Sequence, residues 1–344
     1  MRIRAPLAIA LLLGVLAVVF PTLSVSLVTG QPFPRRDALI GILMGISVLF
    51  GDFSKISPKD IWAIQLMRWQ QPIFGELGSN FFLRRTMPSS VFNAPAEEFR
   101  VDERTSVYVS QGCRGKPLVF YVHGGGTVIG DARDTLFYYF SQQFCVYSVE
   151  YPLAPEFPYP HAVNHTYSAL VYASDHAFKV SGADSSNGIT LVGISGGGLI
   201  AGAVMHKALE ARHPRIKRQI LLVPMLSPSL ATWSYLSNFR LHILDGLSLT
   251  FFWSMYLVNI PPHRCAKDRF CSPLAAEKED VRNMPPTTIF VGSHDALRAE
   301  GEAYAQELQQ AGVKAEVILL PGSHLCLLFP EHMAIVTGKI VSDA

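Results

Sequence analysis

Charged side chains are scarce in this chain of 344 residues: only 16% are Asp, Glu, Lys or Arg, and 29 Lys+Arg against 27 Asp+Glu leave a net charge of +2. A disordered or acidic-tail protein needs far more charge than this. No Lys/Arg-rich run occurs, which argues against a surface that tracks nucleic-acid phosphates. Cysteine is also sparse. The five present (Cys113, Cys145, Cys265, Cys271, Cys326) form no C-x-x-C pair and show no histidine spacing suited to zinc, so no structural metal is expected. There is no G-x-G-x-x-G after a strand and no P-loop, and therefore no cofactor is implied. Internal repeats are absent as well. What the chain has in quantity is apolar residues, 49% of the total. At roughly 150 residues per domain, the length suits two domains, or one large α/β domain with an insertion. The partners this composition favours are small molecules, lipids or membranes.

Arg2 and Arg4 precede an uncharged stretch from Ala5 to Pro34, with a dense apolar run from Leu7 to Phe20 and a softer tail to Val28. The run is marginally long enough to span a bilayer. The favoured reading of residues 1–30 is a single-pass anchor with a cytoplasmic N-terminus, which puts the rest of the chain in the lumen of the endoplasmic reticulum. A cleaved signal peptide competes with it, because Ser24 and Ser26 give a small-x-small pattern near the helix-breaking Pro21, and the product would then be secreted. Ala38 to Phe50 is too short to span and reads as an interfacial or cap helix. Asn164-His165-Thr166 forms an N-x-[ST] sequon, so Asn164 is a glycan candidate if the domain is lumenal. Cys265 and Cys271 are close enough to close a small disulfide loop in an oxidising compartment, and two free thiols are the equal alternative.

From Pro117 onward, short β-branched runs alternate with helical patterns, the signature of βαβ units and a parallel sheet. Strands are expected at Pro117 to Val122, Cys145 to Val149, Ile189 to Val192, Gln219 to Val223, Thr287 to Val291 and Ala315 to Leu320. Helices are expected at His161 to Phe178, Gly197 to Ala211, Ala299 to Ala311 and from Glu331 onward. Tyr151 to Pro160 is a proline-rich loop. From Leu226 to about Pro286 the alternation stops in favour of Trp, Tyr, Phe, Leu and Pro, which suggests a helical insertion over the sheet.

The strongest local signal is Gly193-Ile194-Ser195-Gly196-Gly197, a G-x-S-x-G between a strand and a helix. Such a strand-to-helix turn exposes Ser195 as a nucleophile at the sheet's carboxyl edge and at a helix N-terminus, where developing negative charge is favoured. His123-Gly124-Gly125-Gly126 follows the earlier strand as an oxyanion loop should. The backbone N–H groups of Gly125, Gly126 and Gly196 could then face one oxyanion, while His123 and Gly124 support the loop. An acid and a base should follow in that order. Asp295 and His324 each come shortly after a strand end, and His324 would act as the base oriented by Asp295. His294 and His332 are rival bases that fit the pattern less well.

These residues resemble the hormone-sensitive-lipase-like branch of the α/β-hydrolases, which includes arylacetamide deacetylases, steryl deacetylases and many bacterial esterases. The resemblance runs from about Pro117 to the C-terminus. It rests on His123 to Gly126, Tyr151-Pro152-Leu153-Ala154-Pro155-Glu156 with Pro158 and Pro160, the Ser195 elbow, Ser272-Pro273-Leu274, Asp295-Ala296-Leu297-Arg298 with Glu300, and His324. It implies an α/β-hydrolase fold: a mostly parallel sheet flanked by helices, with a helical cap built from residues 31–96 and an insertion at about 226–286 in a catalytic domain spanning 97–344. The chain departs from the family in three places. Ile194-Ser195-Gly196 replaces the usual Asp-Ser-Ala, Gly322-Ser323-His324-Leu325-Cys326 shortens the usual Gly-x-x-His-Gly-Phe spacing by one, and Pro152 stands where Arg is common.

Trp233, Tyr235, Phe251, Phe252, Trp253, Tyr256 and Leu257 either line a pocket for a lipophilic substrate or pack the cap's own core. The expected activity is hydrolysis of a short-acyl ester of a lipophilic alcohol, such as a sterol or secondary metabolite. Two alternatives share the scaffold: a silent small-molecule receptor, and an acyltransferase or tailoring enzyme in which a different nucleophile resolves the acyl-enzyme. Nothing in the sequence indicates an oligomeric state.

Overall fold

The computed structural model describes residues 95–341, apart from positions 185, 187, 230, 231, 233, 236–243, 245 and 325. The N-terminal apolar run, the Ala38 to Phe50 segment, the cap segment up to residue 94 and Trp233 therefore lie outside the described residues. Among the described residues no helix is long and apolar enough to cross a membrane.

The described chain forms an eight-stranded sheet: β1 (Ala96–Arg100), β2 (Ser106–Ser110), β3 (Leu118–Val122), β4 (Cys145–Glu150), β5 (Ile189–Ile194), β6 (Ile216–Leu222), β7 (Thr287–Gly292) and β8 (Ala315–Leu320). Their spatial order is β1-β2-β4-β3-β5-β6-β7-β8. The first two strands form an antiparallel hairpin that pairs antiparallel with β4, and every pairing from β4 to β8 is parallel. The hairpin lies ahead of Pro117, at or slightly before which the sheet was expected to start, and β1 begins one residue before the expected domain boundary.

Central strands are buried on both faces, which explains why they read as continuous apolar runs. Leu118, Phe120 and Val122 of β3 join one core, while Val119 and Tyr121 join the opposite one. The first core is completed by α2 (His161–Ser181), α3 (Gly196–Ala211) and α7 (Arg298–Gln310), and the second by α1 (Thr135–Ser141) and α8 (Pro330–Val341). This is a three-layer α/β/α arrangement.

Helix boundaries follow local chemistry. Asp134 caps α1 by accepting from the N–H groups of Leu136 and Phe137 at 3.0 and 2.9 Å, while Tyr121 Oη donates to its other oxygen at 2.7 Å. Burial raises the Asp134 pKa despite these donors. Helix α2 buries Ala162, Val163, Thr166, Ala169, Leu170, Ala173 and Ala177, a three-to-four spacing, and ends at Gly182 in the left-handed conformation.

Between β6 and β7 the chain leaves the sheet, as the lost alternation predicted. It forms α4 (Gly246–Tyr256), two single-turn helices α5 (Pro262–Cys265) and α6 (Lys278–Val281), and a 3₁₀ turn at Pro273–Ala275. Tyr235, Phe252, Trp253, Tyr256 and Leu257 are buried in a third apolar cluster with Val128, Leu199, Met225 and Leu297. Phe251 packs against its margin. Disulfides join Cys265 to Cys271, with Cα atoms 5.2 Å apart, and Cys113 to Cys145, with Cα atoms 4.5 Å apart. The second pair was not anticipated, because Cys113 lies beyond β2 and meets Cys145 only once the sheet has formed.

Candidate active site

Ser195 stands between β5 and α3 with φ 54° and ψ −120°. A β-carbon-bearing residue rarely holds a positive φ, and here the backbone is fixed on both sides. The Ser195 N–H donates to Leu222 O at 2.9 Å, and its carbonyl accepts from Gly198 and Met225 N–H at 2.9 and 3.1 Å. The flanking glycines are demanded by close packing. A β-carbon on Gly193 would collide with Gly197 O and Ala201, and one on Gly197 with the carbonyl oxygens of Val122 and His123. The turn thus presses directly on the end of β3.

The loop after β3 lies against this turn. A β-carbon placed on Gly196 would sit 2.8 Å from Gly126 N and 2.6 Å from Thr127 N, so the two backbone segments abut. Gly125 O accepts from Val128 and Ile129 N–H, both at 3.0 Å, which curls the loop. Among the described residues, no acceptor takes the N–H of Gly125, Gly126 or Gly196. His123 is fully buried, donates from Nδ1 to Gly124 O at 2.8 Å and stacks on Tyr151 at 4.2 Å. Tyr151 Oη returns a hydrogen bond to His123 O at 2.9 Å. Tyr151 opens the Tyr151–Glu156 motif, in which no local pattern marks this role.

His324 Nε2 lies 2.9 Å from Ser195 Oγ, and His324 Nδ1 lies 2.9 Å from Asp295 Oδ2. Asp295 is 1% exposed, and its Oδ1 accepts from Leu297 N–H at 3.0 Å. With the carboxylate accepting from Nδ1–H, Nε2 carries the lone pair and faces the serine hydroxyl. The shortened loop still reaches the serine because it is tied to the end of β7. His294 N–H donates to Gly322 O at 2.9 Å, and Gly322 N–H donates to Ser293 Oγ at 3.0 Å. Ser293 therefore supports the site, although no sequence pattern marked it.

The rival histidines face elsewhere. His294 Nδ1 pairs with Ser293 Oγ at 2.8 Å on the exposed side, and His332 Nδ1 donates to Cys326 O at 2.7 Å. Cys326 is free and buried, and burial with the nearby Asp295 charge pushes its pKa up to about 12. It remains a thiol rather than a competing nucleophile. Two polar side chains couple the insertion to the acid loop. Ser234 Oγ donates to Ala296 O at 2.7 Å and accepts from Ala299 N–H at 3.0 Å. Glu300 Oε2 accepts from Leu226 and Ser227 N–H at 2.6 and 3.0 Å, while burial pushes its pKa up to about 8. Asn164 is exposed on the first turn of α2, whereas Thr166 of its sequon is buried.

A strained serine at a helix N-terminus, a histidine and buried carboxylate in line with it, and an adjoining glycine loop whose N–H groups no acceptor among the described residues takes are the parts of a serine hydrolase site. The profile of the family described as alpha/beta hydrolase fold matches residues 119–328. The chain is 34% identical over 240 residues to an arylesterase of Saccharolobus solfataricus, covering 66% of this chain and 74% of the relative. It is 31% identical over 238 residues to the carboxylesterase NlhH of Mycobacterium tuberculosis, covering 64% of this chain and 73% of that one. A solved bacterial heroin esterase superposes with a TM-score of 0.68 at 25% identity, covering 83% of this chain and 96% of that one. The chain belongs to the α/β-hydrolase fold family, within its hormone-sensitive-lipase-like carboxylesterase branch. It is by class an esterase.

Proposed function

We propose that the chain cleaves a short-acyl ester of a lipophilic alcohol, such as a sterol or secondary metabolite, with Ser195 as nucleophile, His324 as base and Asp295 as its orienting acid. The reading rests on the unbroken line from Ser195 Oγ through His324 to Asp295, with both links at 2.9 Å. Ser195 Oγ attacks the ester carbonyl carbon as its proton passes to His324 Nε2. The carbonyl oxygen becomes an oxyanion facing the N–H groups of Gly125, Gly126 and Gly196. Each such donor is worth about 10²- to 10³-fold in turnover. Collapse breaks the bond to the alcohol oxygen, which leaves with the proton from His324. Water then repeats the sequence on the acyl-enzyme and releases the acid.

The apolar insertion cluster and the N-terminal apolar run support a lipophilic substrate. The same run, together with two disulfides, supports membrane anchorage with the catalytic domain in an oxidising lumen, where Asn164 is a glycan acceptor. The experiment is turnover of p-nitrophenyl esters from acetyl to dodecanoyl by the chain and by Ser195→Ala. The expected result is turnover of short esters that disappears in the variant with its fold intact. A folded chain that turns over none of them would overturn the reading in favour of a silent receptor. Transfer of the acyl group to an added alcohol would reassign it as an acyltransferase.

A further inference from the structure

We infer that the hydroxyl of Thr127 is a further catalytic donor to the oxyanion, an inference that rests on the esterase reading above. Gly125, Gly126 and Thr127 hold φ +106°, +60° and +67° in succession. For the two glycines that region carries no steric penalty. A β-branched residue at positive φ is an outlier, and a glycine in its place would relieve the strain. Thr127 is also fully buried, yet among the described residues nothing accepts from its Oγ1–H or from its N–H. Its carbonyl is engaged, accepting from Ala154 N–H at 2.9 Å. One residue thus carries two costs that glycine would avoid, a strained backbone and a buried hydroxyl without a partner. Both are accounted for when the missing acceptor arrives with the substrate.

The place of Thr127 identifies that acceptor. A β-carbon on Gly196, the residue after the nucleophile, would sit 2.6 Å from Thr127 N and 2.8 Å from Gly126 N. Covalent geometry keeps Oγ1 within about 4 Å of its own nitrogen. The hydroxyl therefore shares one small space with the N–H groups of Gly126 and Gly196, which are buried too. Val128 and Ile129 N–H donate to Gly125 O, both at 3.0 Å, and hold the threonine there. The group that develops negative charge in this space is the ester carbonyl oxygen. Thr127 keeps its proton throughout. Its Oγ1–H donates to the oxyanion while Ser195 Oγ bonds to the carbonyl carbon and the Ser195 proton passes to His324 Nε2.

The test is steady-state turnover of p-nitrophenyl acetate by the wild type, Thr127→Val and Thr127→Ser, with thermal unfolding of each. Valine keeps the branched shape and the backbone strain and removes the hydroxyl alone. Loss of one oxyanion donor costs about 10²- to 10³-fold, so kcat of Thr127→Val should fall by that factor while KM changes little. Its Tm should hold or rise, because an unpaired buried hydroxyl is gone. Serine restores the donor, and Thr127→Ser should recover most of the lost kcat. A folded Thr127→Val variant with kcat within about threefold of wild type overturns this inference and leaves the esterase reading standing. So does a loss of kcat that serine does not recover. A lowered Tm beside an unchanged kcat would assign the hydroxyl to a buried water instead. A wild type with no turnover of any ester overturns both readings.

Discussion

Asp295→Asn isolates the role of one proton. In the wild type Oδ1 accepts from Leu297 N–H at 3.0 Å and Oδ2 faces His324 Nδ1 at 2.9 Å. The asparagine can keep the first bond only by placing its oxygen there, which turns its NH₂ toward Nδ1. Two donors cannot share that contact, so the imidazole adopts the tautomer with its proton on Nε2. That proton then points at Ser195 Oγ, and no lone pair remains to take the serine's own. A tautomer error of this kind lowers kcat about 10⁴-fold, about 5 kcal/mol of transition-state stabilisation. KM should change little, because no substrate contact is lost, and the unfolding midpoint should move little, because size is conserved. Steady-state kinetics on a short p-nitrophenyl ester, with chemical denaturation as the folding control, reads all three. A variant within tenfold of wild-type kcat would refute the reasoning and assign the orientation of His324 to another group.

Three further outcomes follow from neighbouring geometry. Glu300 has a folded pKa of about 8 against an ordinary 4.5, so the unfolded chain ionises first and stability falls as pH rises between those values. The slope is about 1.4 kcal/mol per pH unit, and Glu300→Gln, measured by urea unfolding from pH 5 to 8, should remove it; parallel wild-type and variant curves would contradict this. Gly197→Ala forces a methyl group onto the carbonyl oxygens of Val122 and His123, backbone atoms that cannot rotate aside. It should cost about 3 kcal/mol and lower Tm by roughly 6 to 12 °C, with an unchanged Tm as the contrary result. The denatured, unreduced chain from an oxidising host should titrate a single thiol, Cys326, whereas three or five would show one or both pairs reduced.

Most of the sheet was legible because buried parallel strands are apolar throughout and end in loops rich in glycine or polar residues. β3, β5, β7 and β8 were found within one or two residues of their ends for that reason. The β1–β2 hairpin was missed because edge strands are half exposed: Ala96–Arg100 carries two glutamates and an arginine and shows no apolar run. Helix α1 was missed for its length, seven residues capped by Asp134. The meeting of Ser195, Asp295 and His324 could be read from their places after strands, since those strand ends share one edge of the sheet. The groups that steady them could not. Ser234 meets Ala299 across 65 positions and Glu300 meets Leu226 across 74, and no local pattern encodes such contacts. The close packing of Phe252 on Gly126, which leaves no room for a β-carbon there, is of the same kind.

The most direct test of the account is whether Ser195 becomes covalently modified. The chain would be treated with a fluorophosphonate and digested, and the adduct located by mass spectrometry, in parallel with Ser195→Ala and Asp295→Asn. The account predicts one adduct per chain on Ser195, none in Ser195→Ala, and labelling slowed by orders of magnitude in Asp295→Asn. Folded wild-type protein that stays unlabelled, or an adduct on any other residue, would contradict it.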